Sequence, residues 1–173
     1  MSQHKIVTIT LNPALDLTGH LTNTLNVGSV SLVSKSTLHP AGKGVNVAKV
    51  LSDLGAKVTV SGFLGADNQE SFCQLFEQIN ATDRFVRVKG ATRINVKLVD
   101  SASDVSDINF PGVQVDSSAI AEFEKTLLEL AQDHDYFVMA GSLPQGVSPE
   151  LCAKWIEKLH QLGKKVIFDS SRE

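Results

Sequence analysis

Short apolar runs alternate along this chain with longer segments in which apolar residues recur every three or four positions. Continuous runs at 6–11 and 136–140 predict buried strands, and further strands are predicted at 57–63 and 165–169. Helical segments separate these strands. This order is typical of an α/β fold, in which helices pack on a mostly parallel sheet.

Four segments have the apolar spacing of a helix that buries one face. The second begins with the capping-box pattern of Asp67 and Glu70, which predicts that Asp67 caps this helix. The fourth begins with Ser148 as N-cap and Pro149 as the first helical residue. The four predicted helices are 42–54, 67–79, about 120–130 and 148–162.

Two regions, about 15–38 and 92–110, alternate apolar and polar residues instead. This alternation is typical of half-exposed antiparallel strands. Both regions are inserted between elements of the α/β core, so we expect a second, smaller sheet that serves as a lid or as a partner surface. The strands predicted in it are 15–21, 29–38, 93–99 and 108–110.

Composition excludes several classes of protein. The 173 residues, 42% of them apolar, suffice for one domain with a sizeable core, and a net charge of −3 offers no basic footprint for nucleic acid. No apolar run is long enough to cross a membrane, and residues 1–5 lack the apolar region of a signal peptide. Cys73 and Cys152 have neither disulfide-framework nor metal-site spacing. We therefore expect a cytoplasmic protein with two reduced cysteines and no metal site.

The segment 40–48 has the features of a ligand site. Gly42, Lys43, Gly44 and Asn46 lie where the first predicted helix begins, and unpaired N–H groups at a helix N-terminus favour anions. The glycines would let a ligand approach the backbone, and the spacing matches neither a Walker P-loop nor a Rossmann fingerprint. A small polar ligand, such as a phosphorylated one, is expected. The alternative is a turn that only starts a helix.

Further polar residues follow the predicted core strands, where ligands bind in open α/β sheets. Asn12 and Asp16 come after the first strand, Gly141 and Ser142 after a later one, and Asp169 ends the last. These residues are expected to line one cleft.

Three of the candidates have a second interpretation. Asp16 suits a turn equally well, and Ser142 can simply end a strand. A lone arginine such as Arg93 is usually solvated, although Asn95 and Lys97 on the same strand face favour a polar ligand surface.

Several motifs in this order resemble the N-terminal half of a ribokinase-like carbohydrate kinase of the PfkB family. Many family members have Gly-Gly-Lys-Gly where this chain has Ala41 to Gly44, so a methyl group narrows the approach slightly. The pattern is most similar to the branch that acts on fructose 1-phosphate or tagatose 6-phosphate. The motifs are TLNPALD at 10–16, PAGKGVNVA at 40–48, TRINVK at 92–97, GSLPQGV at 141–147 and FDSS at 168–171.

The resemblance implies transfer of the γ-phosphate of ATP to fructose 1-phosphate, giving fructose 1,6-bisphosphate. Tagatose 6-phosphate and fructose 6-phosphate are the alternative substrates. The small sheet would cover the sugar and pair two subunits into a homodimer. By position in the motifs, Asp16 and Asn46 would hold sugar hydroxyls, Gly42 would offer its backbone, Lys43 and Arg93 would face the phosphate of the substrate, and Ser142 would line the sugar pocket.

The resemblance covers only part of a family member. We therefore expect a ribokinase-like three-layer α/β/α core with a small β lid over residues 1–173, truncated after the N-terminal half. In the family, a Gly-Ala-Gly-Asp turn with the general base, the ATP loops and an acidic residue for Mg²⁺ lie in the second half. The resemblance thus implies ATP and Mg²⁺ for the full-length protein, no catalytic residue here and an inactive chain alone. The alternative is a non-catalytic sugar-phosphate-binding or dimerisation module.

Overall fold

The computed structural model describes residues 5–170. Residues 1–4, part of the N-terminal segment that lacks a signal-peptide pattern, and Ser171 of the last motif lie outside the described residues. The helices are α1 (Lys43–Asp53), α2 (Glu70–Gln78), α3 (Ser117–Leu130) and α4 (Pro149–Gln161). The strands are β1 (Ile6–Thr10), β2 (Ala14–Leu21), β3 (Val33–Ala41), β4 (Val58–Gly65), β5 (Thr82–Asp83), β6 (Val86–Val88), β7 (Ile94–Val99), β8 (Val105–Ile108), β9 (Tyr136–Ala140) and β10 (Lys165–Asp169).

The main sheet is parallel, in the order β10-β9-β1-β4-β5, and β6 pairs with the end of β4. One face packs on α3 and α4 through a core that includes Phe63, Phe123 and Trp155. The other face packs on α1 and α2 through a core that includes Val45 and Phe72. The predicted α/β fold with a parallel sheet is therefore confirmed, with helices on both sides.

The small sheet has the order β3-β2-β7-β8. Pairs β2–β3 and β7–β8 are antiparallel, as the alternation predicts, while β2 and β7 run parallel and join the two pairs. The predicted last strand is displaced: β8 ends at Ile108. The Asp100 carboxylate accepts hydrogen bonds from the N–H groups of Ala102 and Asp104, which sets a tight turn and brings Val105 opposite Val99.

The predicted start of β3 is also displaced, from residue 29 to Val33. Ser29 donates hydrogen bonds to the Asn26 carbonyl through both its N–H group and its hydroxyl. This local turn keeps residues 29–32, which precede Val33, out of the sheet.

The predicted capping box at Asp67 is wrong. Asp67 lies in a short 3₁₀ turn, and α2 begins later, at Glu70, without a side-chain cap. The Asn68 side chain instead bonds both the N–H and the carbonyl of Thr92 and so ties this turn to the chain before β7. The predicted N-cap at Ser148 is confirmed, because its hydroxyl accepts from the Leu151 N–H at 3.1 Å.

Both cysteines are free, Cys152 in the core and Cys73 half-buried. In the part of the chain that the structure describes, no helix combines the length and apolar character needed to span a bilayer.

Candidate functional site

A polar cleft of about 240 Å³ opens at the carboxyl ends of β1 and β9, beside the polar face of the small sheet. All six predicted ligand-binding residues lie along it, and so do Asn12 and Gly141. Asp169, which was also expected to line the cleft, is not among its lining residues. The roles of the six residues toward a ligand remain predictions. The lining residues are Thr10, Asn12, Ala14, Asp16, Gly42, Lys43, Asn46, Arg93, Asn95, Asn109, Gly141 and Ser142.

Strand pairing brings Asp16 into the cleft. Asp16 lies within β2, opposite Asn95 on β7 and His39 on β3, so the alternative of a turn residue is wrong. Residues paired across strands share a face, and Thr18 and Lys97 continue this polar face. The strand alternation thus separates polar side chains from the apolar face of the same sheet.

Burial raises the pKa of the Asp16 carboxyl above its ordinary value, while the positive charges of Lys97, Arg93 and His39 act in the opposite direction. The Asp107 carboxylate raises the pKa further, although it forms an ion pair with Lys97 at 3.2 Å. A half-desolvated carboxylate of this kind is a strong acceptor for hydroxyl donors.

The Arg93 guanidinium is held at the cleft by backbone carbonyls. It donates to Asn12 at 3.2 Å and to Pro13 and Phe110 at 3.4 Å each. Arg93 is half-buried and immediately precedes β7, so it is not the freely solvated strand residue of the alternative interpretation. These hydrogen bonds orient the guanidinium at the lining of the cleft.

Gly42 forms the backbone corner between β3 and α1. Its φ of 134° is in the region that favours glycine, and a Cβ there would lie 2.7 Å from the Thr10 Cγ2. No side chain caps α1, and the first-turn bond runs from the Asn46 N–H to the Gly42 carbonyl at 2.9 Å. This uncapped N-terminus beside the cleft suits an anion or a polar oxygen.

Gly44 has a different role from the one predicted. It is buried and does not line the cleft; a Cβ there would lie 2.3 Å from the Thr10 Oγ1 and 2.7 Å from the Ile9 carbonyl oxygen. Gly44 therefore lets α1 pack closely on β1 and does not admit a ligand.

Lys43 lines the cleft and forms an ion pair with Asp169 at the end of β10, where its Nζ is 3.4 Å from the Asp169 Oδ2. Both side chains are about half exposed, and such a pair contributes about 1 kcal/mol at most. A phosphate group on a ligand can compete for this ammonium group.

Ser142 follows β9 and is joined to β1 through Asn12, whose Nδ2 donates to the Ser142 Oγ at 3.1 Å. Asn12, Asn95 and Asn109 also line the cleft, although none is among the six predicted binding residues. The sequence indicated Asn12, through the strand end that it follows, and Asn95, through the strand face that it shares with Arg93. The position of Asn109 depends on the turn before β8, which alternation alone does not locate.

Comparison with known proteins places this chain in a family. The model for the pfkB family of carbohydrate kinases matches residues 9–173. The chain belongs to this family.

Relatives of this pfkB chain include 1-phosphofructokinase of Vibrio cholerae, which is 70% identical over 98% of the chain and 53% of the relative. A possible 1-phosphofructokinase of Thermotoga maritima has a solved structure with a TM-score of 0.86 at 30% identity over 97% of this chain and 54% of its own. Phosphofructokinase-2 of Escherichia coli, in complex with substrates and products, gives 0.87 at 27% identity over 96% and 54%. The pfkB chain thus spans about half the length of the relatives it matches, and its fold is ribokinase-like.

A larger cavity, of about 530 Å³, lies at the opposite, amino-terminal edge of the main sheet of the pfkB chain. Two of its three lysine and arginine side chains, Lys5 and Arg84, are already paired with Asp133 at 3.3 Å and Glu129 at 2.6 Å. Ligands of open α/β sheets bind at the carboxyl edge. The smaller cleft is therefore the candidate site.

Proposed function

We propose that this chain forms the sugar-phosphate-binding part of an ATP-dependent 1-phosphofructokinase. The complete enzyme would transfer the γ-phosphate of ATP to fructose 1-phosphate and form fructose 1,6-bisphosphate. The observation that carries the proposal is the convergence of Asp16, Asn46 and Arg93 on one polar cleft. The name of the Vibrio cholerae relative, at 70% identity, supports the choice of substrate.

In this proposal, the two ends of the cleft bind different parts of the sugar phosphate. The Asp16 carboxylate accepts hydrogen bonds from sugar hydroxyls, the Asn46 amide both accepts and donates them, and the backbone at Gly42 approaches the ring closely. The Arg93 guanidinium binds the phosphate that the sugar already carries, for which its planar fork is well suited. Lys43 contributes a second positive charge, and Ser142 lines the pocket.

The reaction also needs a bound nucleotide. ATP would be the phosphate donor, and Mg²⁺ would neutralise charge on the transferring phosphate. Among residues 5–170, no group of three or more His, Cys, Asp or Glu side chains is arranged to hold a metal ion. The role proposed for this chain is to bind and orient the acceptor sugar, while the general base and the ATP site belong to the part of the longer relatives that it does not match.

The small sheet would act both as a lid and as a dimer interface. Its polar face lines the cleft, while its other face carries Leu38, Ile94 and Ile108, all exposed. Exposed apolar patches of this kind are typical of protein–protein contacts. We propose a homodimer through this face. A cytoplasmic location accords with the two free cysteines.

The second candidate is a 6-phosphofructokinase specificity, which is favoured by the similarity to Escherichia coli phosphofructokinase-2, since that protein has a solved structure in complex with fructose-6-phosphate. Tagatose 6-phosphate is a further candidate acceptor. These sugars differ in the position of the phosphate or in the configuration of a hydroxyl group. A non-catalytic module that binds a sugar phosphate is the remaining alternative for the chain by itself.

Titration calorimetry of the 173-residue chain with each sugar phosphate tests the proposal. We expect fructose 1-phosphate to bind more tightly than fructose 6-phosphate or tagatose 6-phosphate, and unphosphorylated fructose to bind weakest. Tighter binding of fructose 6-phosphate would select the second candidate.

A coupled assay of ADP release in the presence of ATP, Mg²⁺ and fructose 1-phosphate tests the division of roles. We expect no turnover by the 173 residues alone and turnover when the unmatched remainder of the Vibrio cholerae relative is supplied. Turnover by the isolated chain would contradict the absence of a catalytic base from it.

A further inference from the structure

Asn109 lines the cleft, yet the proposed function gives it no part. It follows Ile108, the last residue of β8, which pairs with Val96 on the antiparallel strand β7. One step beyond this pair, the same register places Asn109 beside Asn95. Because side chains alternate between the two faces of a sheet, both asparagines lie on the face opposite to Val96 and Ile108, which is the face toward the cleft.

Two hydrogen bonds fix the backbone next to Asn109 at one end of the cleft. The Phe110 N–H donates to the Asn95 Oδ1 at 3.3 Å, and the Phe110 carbonyl accepts from the Arg93 guanidinium at 3.4 Å. Consecutive Cα atoms are only about 3.8 Å apart. Asn109 is therefore close to the guanidinium that is proposed to bind the phosphate of the sugar.

The side chain of Asn109 can both donate and accept hydrogen bonds, because an amide has an NH₂ group and a carbonyl oxygen. Asn109 is exposed, and its amide forms no hydrogen bond within residues 5–170. The neighbouring amide of Asn95 is different, since its Oδ1 already accepts from the Phe110 N–H. Of the two asparagines beside Arg93, Asn109 thus has both of its polar groups available to a ligand.

The candidate acceptors differ at the ring carbon beside the phosphorylated end. The proposed reaction needs a free O6, so fructose 1-phosphate would bind as the five-membered ring closed between C2 and C5. In this ring C2 carries a hydroxyl group and the phosphorylated C1, whereas C5 carries C6 and a hydrogen atom. The hydroxyl groups on C3 and C4 are related by an approximate twofold axis and discriminate little between the two ends.

A phosphate on Arg93 would therefore place different groups beside it in the two sugars. Fructose 1-phosphate presents its C2 hydroxyl there. Fructose 6-phosphate binds in the opposite direction and presents the hydrogen atom of C5. Arg93 attracts the phosphate of either sugar, so the choice between them depends on a hydrogen-bonding group beside Arg93.

We propose that Asn109 binds the C2 hydroxyl of fructose 1-phosphate and thereby gives the site its preference for the 1-phosphate. This inference deepens the proposed function and rests on it. A site that hydrogen-bonds a substrate hydroxyl discriminates against the analogue that lacks it, because the polar group of the site then loses water without gaining a partner.

Titration calorimetry of the parent chain and Asn109→Ala with three ligands tests the inference. Asn109→Ala should lower the affinity for fructose 1-phosphate about tenfold and leave the affinity for fructose 6-phosphate unchanged. The third ligand, 2,5-anhydromannitol 1-phosphate, has hydrogen in place of the C2 hydroxyl, so the parent and the variant should bind it equally. That equality would also show that the cleft of the variant is intact.

Asn23→Ala is the matched control, because Asn23 is an exposed asparagine between β2 and β3 that does not line the cleft. It should bind all three ligands as the parent does. An equal loss for the three ligands with Asn109→Ala, or no loss for any of them, would overturn the inference and leave the proposed function standing. A parent chain that binds no fructose 1-phosphate, or that prefers fructose 6-phosphate, would overturn the proposed function and this inference with it.

Discussion

Arg93 and Asp16 have opposite charges in the same cleft and opposite proposed partners. The guanidinium is oriented by three backbone carbonyls, and the carboxylate lies on the neighbouring strand. Each can therefore be removed by a substitution that should affect a different part of the ligand.

Arg93→Ala should lower the affinity for fructose 1-phosphate about tenfold to a hundredfold, since a hydrogen bond to a charged group is worth about 1.5–3 kcal/mol. The affinity for unphosphorylated fructose should change little. Titration calorimetry measures both, with Lys89→Ala as a control for loss of a positive charge outside the cleft. An equal loss of affinity for fructose and for fructose 1-phosphate would mean that Arg93 maintains the shape of the cleft and does not bind the phosphate. No loss of affinity would mean that Arg93 does not bind the ligand.

Asp16→Asn should weaken sugar binding about tenfold, which corresponds to about 1.4 kcal/mol of binding free energy. The same substitution should stabilise the free chain. Because burial raises the pKa of Asp16 in the folded chain, its ionised form is less favourable there than in the unfolded chain. This cost is present at neutral pH and disappears as pH falls below the ordinary value of 3.8, where both states are protonated.

Urea unfolding of the parent chain and the Asp16→Asn variant across this range tests the sign. The difference in unfolding free energy should favour the variant at neutral pH and shrink on acidification. If the parent chain is instead more stable than the variant at neutral pH, the attraction of the Asp16 carboxylate to Lys97 and Arg93 outweighs the cost of its desolvation.

Regular periodicity made the helices and core strands predictable at the scale of single elements. The apolar spacing around Val47 and Leu51 located α1 to within a residue at each end. The errors lie where side chains bond backbone groups across a turn. Asp100 fixes the start of β8 and Asn68 ties a loop to Thr92, and neither effect has a periodic signal. Close contacts between elements also leave no periodic signal in the sequence, and the packing of α1 on β1 at Gly44 is an example.

The two predicted N-caps can be compared directly, because the structure confirms Ser148 as a cap and shows that Asp67 is not one. Ser148→Ala should lower the free energy of unfolding by about 1 kcal/mol, because the Leu151 N–H loses its acceptor. Asp67→Ala should change it by less than about 0.5 kcal/mol, because Asp67 is exposed and caps no helix. Chemical denaturation measures both. Equal costs would mean that Asp67 stabilises the 3₁₀ turn.

The whole molecule combines a parallel sheet with a small sheet whose two faces differ in polarity. The sequence revealed this contrast through alternation, but it did not reveal that β2 and β7 run parallel and merge two hairpins. That pairing joins strands that are far apart in the chain, and it decides which polar residues share the cleft.

The apolar face of the small sheet predicts a dimer that single substitutions should separate. Leu38→Asp and Ile108→Asp should each convert a dimer to a monomer in light scattering, because a charge would enter the buried interface. Val105→Asp is the control, since Val105 is equally exposed on the opposite face of the sheet. A monomeric parent chain, or dissociation by Val105→Asp alone, would contradict the proposed interface.

The central claim is that the cleft at the carboxyl edge of the main sheet binds a sugar phosphate. A crystal structure of the chain grown with fructose 1-phosphate tests it most directly. We expect the sugar hydroxyls within hydrogen-bonding distance of Asp16 and Asn46, and the phosphate on the Arg93 guanidinium. A sugar phosphate bound elsewhere, such as the cavity at the amino-terminal edge, or a cleft without ligand at saturating concentration, would contradict the claim.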